Sequence, residues 1–209
     1  MESNRPLKHK YLINPNTRLR FPYFCLYWHE IDASWPLPDP NEVDGSVMEY
    51  KSKRGRVVAQ SSRDSAQLHM LCVPGTEFDN QRLQKWLRDT IRDTITRRAE
   101  LVLPARLHEL EQKHQLWARS VTVTHLRRRV MGLCDCDKNI MLSPLILLMP
   151  AELMDETILH EMAHLKEMSH HPRFWQLLST LLGEDAKQRN MIYEQTIARS
   201  MEMYDFLMR

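Results

Sequence analysis

The sequence predicts an α+β fold on three observations. Strand-like segments come first, helical periodicity takes over from about Asp79, and only short strand-like runs interrupt the helices after that. At 209 residues with 43% hydrophobic content, the chain can bury a real core. The division this suggests is a β-rich N-terminal region over 1–78 and a helix-dominated domain over 79–209, the two forming separate or integrated units.

Each element has its own signal. Residues 1–45 are rich in Pro and aromatics, and Trp35-Pro36-Leu37-Pro38-Asp39-Pro40 reads as a loop. Strands are expected near 46–51 and 56–61, turning at Lys53-Arg54-Gly55, and again at 67–73, where Pro74-Gly75 ends the run. Leu83, Leu87, Ile91 and Ile95 recur every four residues and form one apolar helical stripe. Pro104 is placed to open a second helix carrying Leu107, Leu110 and Leu116. Ser120–Leu126 and Ile140–Leu142 read as strands, with a turn region from Gly132 to Asn139 between them. Pro150, with Glu152 behind it, suits a helix start, and Ile158, Met162 and Leu165 mark that helix's buried face. Helices over 173–182 and 185–207 follow, split near Gly183.

Charge and cysteine content exclude several classes. The net charge of +2 makes no case for a nucleic-acid or membrane surface. Between Asp79 and Arg129 basic residues outnumber acidic ones two to one, ending in Arg127-Arg128-Arg129. A solvated helix face with pairs such as Asp89–Arg92 and Asp93–Arg97 is the plainer reading, and a patch for nucleic acid or another anion the weaker one. Cys25, Cys72, Cys134 and Cys136 have neither disulfide-framework nor CxxC spacing. The start MESNRPLKHK has no apolar stretch after its charges, and the longest apolar run, Leu145–Met149, is too short to span a bilayer. A reduced, cytoplasmic setting without membrane attachment is expected. Oligomeric state is not legible.

The chemistry is concentrated in His160-Glu161-Met162-Ala163-His164. Histidines four apart on a helix share one face, about 6 Å apart along the axis, within reach of one metal ion. Glu161 is rotated by about 100° from His160 and can handle water at an open coordination position. This is the HExxH pattern of zinc hydrolases. A third ligand must come from elsewhere: a straight helix would carry His170 about 15 Å beyond His160. Pro172 disfavours helical geometry at His171, so the helix must stop and the chain can bend back at Met168-Ser169. His170 is preferred over His171, which is left to cap the next helix or line the cleft. Glu167 and Asp155 are weaker ligand candidates, and Cys134-Asp135-Cys136 reads as a turn.

The stretch LHEMAHLKEMSHHPRFW resembles the signature of the YgjP-type metal-dependent hydrolases, HELxHLxxxxHSxxFW, at His160, Glu161, His164, His170, Phe174 and Trp175. Leu103-Pro104-Ala105-Arg106-Leu107 is similar to the segment before that family's core strands. Asn139-Ile140-Met141-Leu142 is similar to its NIxL strand, and Pro150 to its PPEV helix start. The likeness covers about 79–185 well and the first 75 residues poorly. Two departures stand out. The family's Trp-Gly-Ser-Cys run is Met131-Gly132-Leu133-Cys134 here, and His171 replaces a usual Ser. The resemblance implies a compact zincin-like domain, similar in plan to SprT-type and gluzincin peptidases, with a short sheet beside the active-site helix and three histidines on one zinc. Family members include peptidase-like proteins and a uridine triphosphate pyrophosphatase.

The expected function is therefore zinc-dependent hydrolysis. His160, His164 and His170 bind one zinc, and Glu161 acts as general base and then acid. Tyr193, Tyr204 and Arg173 are the candidate oxyanion donors. Three readings compete. Peptide hydrolysis is the first. Phosphoanhydride hydrolysis of a nucleoside triphosphate is the second, and would draw cations from Lys166, Arg173 and Arg127–Arg129. A non-catalytic, metal-stabilised binding module is the third.

Overall fold

The computed structural model describes residues 12–39, 41–127 and 130–207, without the side chains of 198–206. It is α+β, with two sheets and four helices among the described residues. Two compact units divide the chain: Met1–Arg20, Phe24–Thr94 and Phe206–Arg209 in one, and Phe21–Tyr23 with Ile95–Asp205 in the other.

The first sheet has the strands β1 (Leu19–Phe21), β2 (Phe24–Glu30), β3 (Gly45–Ser52), β4 (Gly55–Ser62) and β5 (Gln67–Cys72), in the order β1-β2-β5-β4-β3, and all but Phe21 belong to the first unit. The β3–β4 hairpin turns between Ser52 and Gly55, where the sequence places it. Gly55 has φ 143°, and a Cβ there would lie 2.5 Å from the Thr76 side chain, so only glycine fits the turn. Two strands, β1 and β2, lie in the β-rich N-terminal region at positions where the sequence reading placed no individual strand. The alternation Phe24, Leu26 inward and Tyr27, His29 outward escapes notice because the outward residues are aromatic. β2 runs parallel to β5, a pairing that no local signal announces.

α1 (Gln81–His114) starts at Asn80, whose Oδ1 accepts from the backbone of Arg82 and Leu83 at 2.9 and 3.2 Å. It runs straight through Pro104, contrary to the second helix expected there. A mid-helix proline costs about 3 kcal/mol. The apolar stripe Ala99, Leu103, Leu107 and Leu110 is buried on both sides of it and holds the helix in register.

In the second unit β6 (Ser120–Val123), β7 (Gly132–Cys134) and β8 (Asn139–Leu142) form a sheet in the order β6-β8-β7. β6 ends three residues earlier than expected, and the turn region begins with a real strand, β7, on the sheet edge. The turn proper is Asp135–Lys138. Asp135 Oδ1 accepts from the backbone of Asp137 and Asn139 at 3.0 and 2.9 Å, and Lys138 takes φ 66°. The apolar run after β8 forms a buried 3-10 turn over Pro144–Leu148. α2 (Ala151–His164), α3 (Pro172–Leu182) and α4 (Ala186–Leu207) complete the unit, with Gly183 at φ 79° closing α3. Among the described residues no helix is long and apolar enough to cross a membrane.

Candidate metal centre

α2 buries Ile158 and Met162 completely, with Leu165 nearly so, which fixes the helix face that carries the histidines. It stops at His164, as the spacing argument requires. Lys166 and Glu167 both donate backbone N–H to Ala163 O, at 3.1 and 3.0 Å, tightening the exit. Trp175 on α3 donates its indole N–H to the His170 carbonyl at 3.1 Å and pins the returning turn. His171 sits at the α3 N-cap, exposed and with no side-chain capping bond.

The turn brings three imidazoles together. The ligand atoms of His160, His164 and His170 all lie within 4.8 Å of one another, the one such three-residue group among the described residues. The Nε2 atoms of His160 and His170 are 3.0 Å apart. Two nitrogens on one tetrahedral ion with bonds of about 2.0–2.1 Å sit roughly 3.3 Å apart, so this pair needs little adjustment. His164 Nδ1 donates to the Glu167 carbonyl at 2.9 Å, which selects the tautomer and leaves Nε2 as the ligand atom. Phe174, fully buried, lies 4.5–5.0 Å by ring centroid from all three imidazoles and forms their floor. Burial holds His160 down to about 3, with His164 and His170 adding to the effect, and also lowers His164. Neutral imidazoles are the form that binds a metal, and three of them suit a divalent transition metal.

Glu161 stands beside this cluster, buried, and burial raises its carboxyl to about 8. The Cys134 backbone N–H on β7 opposes that rise by hydrogen-bonding the carboxylate. Gly132, two residues earlier on the same strand, explains how the strand comes so close. A Cβ there would lie 2.5 Å from Glu161 Cγ and 2.6 Å from Oε1. Gly132 is the retained glycine of the Met131–Cys134 run, and its need for space was the signal available in the sequence. The neighbouring Cys134 thiol is pushed up to about 11, chiefly by burial and then by Glu161, and is inert at neutral pH.

A cavity of about 160 Å³ opens beside His160 and Glu161. Met131, Leu178 and Ile197 supply its apolar wall, and Glu156, Asn190 and Tyr193 its polar one. Thr157 donates to Leu153 O at 2.8 Å, so the 2.9 Å contact between Thr157 and Tyr193 carries the tyrosine's proton. Arg173, Lys166 and Arg127 are exposed and line no part of this cavity. Arg128, Arg129 and the Tyr204 side chain lie outside the described residues. Asp155 is paired with Arg106 of α1 through two bonds at 2.7 and 2.6 Å, which anchors α2 and takes that carboxylate away from the histidines. Glu167 contributes its carbonyl, as above, and of the Cys134-Asp135-Cys136 segment Cys134 ends β7 while Asp135 and Cys136 open the turn.

A histidine-bearing helix, a short mixed sheet at its side and a third histidine returned by a turn make this an α+β domain of zincin-like plan. The chain belongs to the YgjP-like family: the family's metallopeptidase-domain model matches residues 31–194. The match reaches well into the first sheet, further toward the N-terminus than the motif likeness over 79–185. The family supports metal-dependent hydrolysis and implies a divalent metal. Comparison with curated proteins and with solved structures gives no significant match.

Proposed function

We propose that this chain is a zinc-dependent peptide hydrolase, with His160, His164 and His170 as the zinc ligands and Glu161 as the general base. The observation that carries it is a buried carboxylate next to three converging imidazoles, with that carboxylate and His160 bordering a cavity that no Lys or Arg lines among the described residues. When bound, zinc supplies a Lewis acid that polarises a carbonyl and acidifies water. Glu161 takes the proton of the attacking water and delivers it to the leaving amine. Burial raises its pKa to about 8, and a cation beside it would lower that value and put the carboxylate in its basic form at neutral pH. The Cys134 N–H aims the carboxylate, and Phe174 and the Glu167 carbonyl hold the imidazoles.

A nucleoside triphosphate would bring several negative charges to a wall that carries Glu156 and, among the described residues, no Lys or Arg, which disfavours the phosphoanhydride reading. The test uses one zinc-loaded preparation against a peptide library and a nucleoside triphosphate panel, with Glu161→Gln as the blank. Glu161-dependent peptide cleavage with nucleotides intact is expected. Glu161-dependent nucleotide hydrolysis with peptides intact overturns the substrate class. No Glu161-dependent turnover of either points to the non-catalytic module.

A further inference from the structure

We infer that the uncovered edge of β2 is a docking site for an extended acidic segment of another polypeptide, which adds a strand to the first sheet and sets an acidic side chain against Arg18 and Arg20. The site lies wholly in the first unit and does not rest on the hydrolase reading of the metal centre. Its main-chain half follows from the pairing of β2 with β5. Cys25 donates its backbone N–H to Ala66 O at 2.9 Å, and Ile31 to Cys72 O at 3.0 Å. In a parallel ladder alternate residues turn both main-chain groups to one neighbour, so Cys25, Tyr27 and His29 face β5. The N–H and C=O of Trp28 and Glu30 therefore point to the opposite edge.

The described chain leads away from that edge at both ends. β1 has three residues against seven in β2 and joins it through residues 22–23, so it covers only the start. Before β1, Thr17 donates its N–H to Asn14 O at 2.8 Å and closes a turn. The Gln84 side chain on α1 holds Ile13 by its N–H and its carbonyl, at 2.9 and 2.8 Å. After β2 the chain passes to β4, where Arg56 Nη1 donates to Trp35 O at 2.7 Å. What is left is a cleft of about 310 Å³, lined by Leu26, Trp28 and Glu30 of β2 and by Arg18 and Arg20 of the β1 segment.

Open edges are common in sheets, and the walls of this one specify the occupant. Main-chain groups at an open edge are met by an added strand. Arg18 and Arg20 are exposed, and neither pairs with a carboxylate among the described residues. Arg18 spends one N–H on Pro15 O at 2.5 Å and keeps the rest of its fork. Glu30 stands at the far end of β2, so the cleft is cationic at one end and anionic at the other. That polarity places an acidic residue at one end of the docked segment. A second copy of this chain fits worse, because β1 of each copy already occupies the row in which the other's β2 would continue.

The experiment uses the full chain and capped six-residue peptides of alternating valine and threonine, with two glutamates, glutamines or lysines at the N-terminal or the C-terminal end. Amide exchange by NMR is read first on the free protein. Trp28 and Glu30 should exchange at least about ten-fold faster than Tyr27 and His29, after correction for intrinsic rates. With a glutamate peptide bound, Trp28 and Glu30 should become protected while Tyr27 and His29 stay as they are. At one end of the peptide glutamate should bind at least about five-fold tighter than lysine, which gives the direction of the added strand. The double variant Arg18→Glu, Arg20→Glu should reverse that order, and Arg20→Glu alone should weaken it if the double variant melts early. N-methylation of alternate peptide amides should abolish binding in one set and spare it in the other, since only one set faces β2. Protection of Trp28 and Glu30 in the free chain means that the edge is already covered and overturns the inference; if that protection grows with protein concentration, the occupant is a second copy. Equal binding of glutamate and lysine peptides, a preference that the arginine variants keep, binding that both methylated sets retain, or no binding at all overturns it as well.

Discussion

The ring nitrogens of His29 and His69 meet at 2.8 Å on the first sheet, and those of His160 and His170 at 3.0 Å beside α2, yet the two pairs are built differently. His29 and His69 lie nearly parallel, at 22°, and Tyr27 stacks on His69 at 17°. Their planes are ordered by side-by-side packing on neighbouring strands β2 and β5, and the short contact is a hydrogen bond between exposed rings. The α2 histidines are splayed, with interplanar angles of 72°, 44° and 85° among the three. Imidazole lone pairs lie in the ring plane, so three rings can aim at one point only if their planes cross. A close pair of histidines is therefore weak testimony. Crossing planes, a tautomer chosen by a carbonyl and a buried carboxylate alongside are what support the metal-centre reading.

The contrast breaks hardest at the ligands. His160→Ala and His164→Ala should each take zinc from about one per chain to near none by elemental analysis. His170→Ala should weaken zinc at least ten-fold, and His171→Ala should leave it unchanged. Loss in His171→Ala with retention in His170→Ala would reassign the third ligand. Next comes Glu161→Gln, which should keep its zinc and lose on the order of 10²-fold or more in turnover. Activity within a few-fold of wild type would remove Glu161 as the base.

Gly132→Ala sharpens the comparison from outside the ligand set. The new methyl must push Glu161 aside, and displacements near 1 Å can cost about 10²-fold. Turnover should drop at least ten-fold with zinc content intact. Full activity in a well-folded Gly132→Ala would mean that β7 yields and the carboxylate does not. The smallest effect belongs to His29→Ala and His69→Ala. His29→Ala removes one stacked contact and His69→Ala two, each worth about 0.5–1.5 kcal/mol, so melting should fall by a few degrees, more in His69→Ala, with zinc stoichiometry unchanged. Zinc per chain that falls in these variants would give the first sheet a metal role.

What could be read from the sequence follows range along the chain. The α2 stop was legible because helix spacing and the His171-Pro172 step are local rules, and they alone demanded a returning third histidine. The β3–β4 hairpin was legible at Gly55 for the same reason. The parallel pairing of β2 with β5 joins residues some forty apart and leaves no local mark. Pro104 misled because its cost is local, whereas the buried stripe that overrides it is tertiary. Glu156 and Asp155 are adjacent acids on one helix, indistinguishable by pattern. The fold gives one to Arg106 and turns the other to the cavity.

The three imidazoles also sit at three depths: His164 buried, His160 half-buried and His170 exposed on the turn after α2. On the proposed reading, an ion on these rings would be released most readily through the outermost one, leaving a two-point hold on α2 open to a competing chelator. The Trp175 indole on the His170 carbonyl would then set the pace of exchange, and the helix pair how tightly the ion is held at rest. Loading and retention would thereby depend on different pieces of the chain.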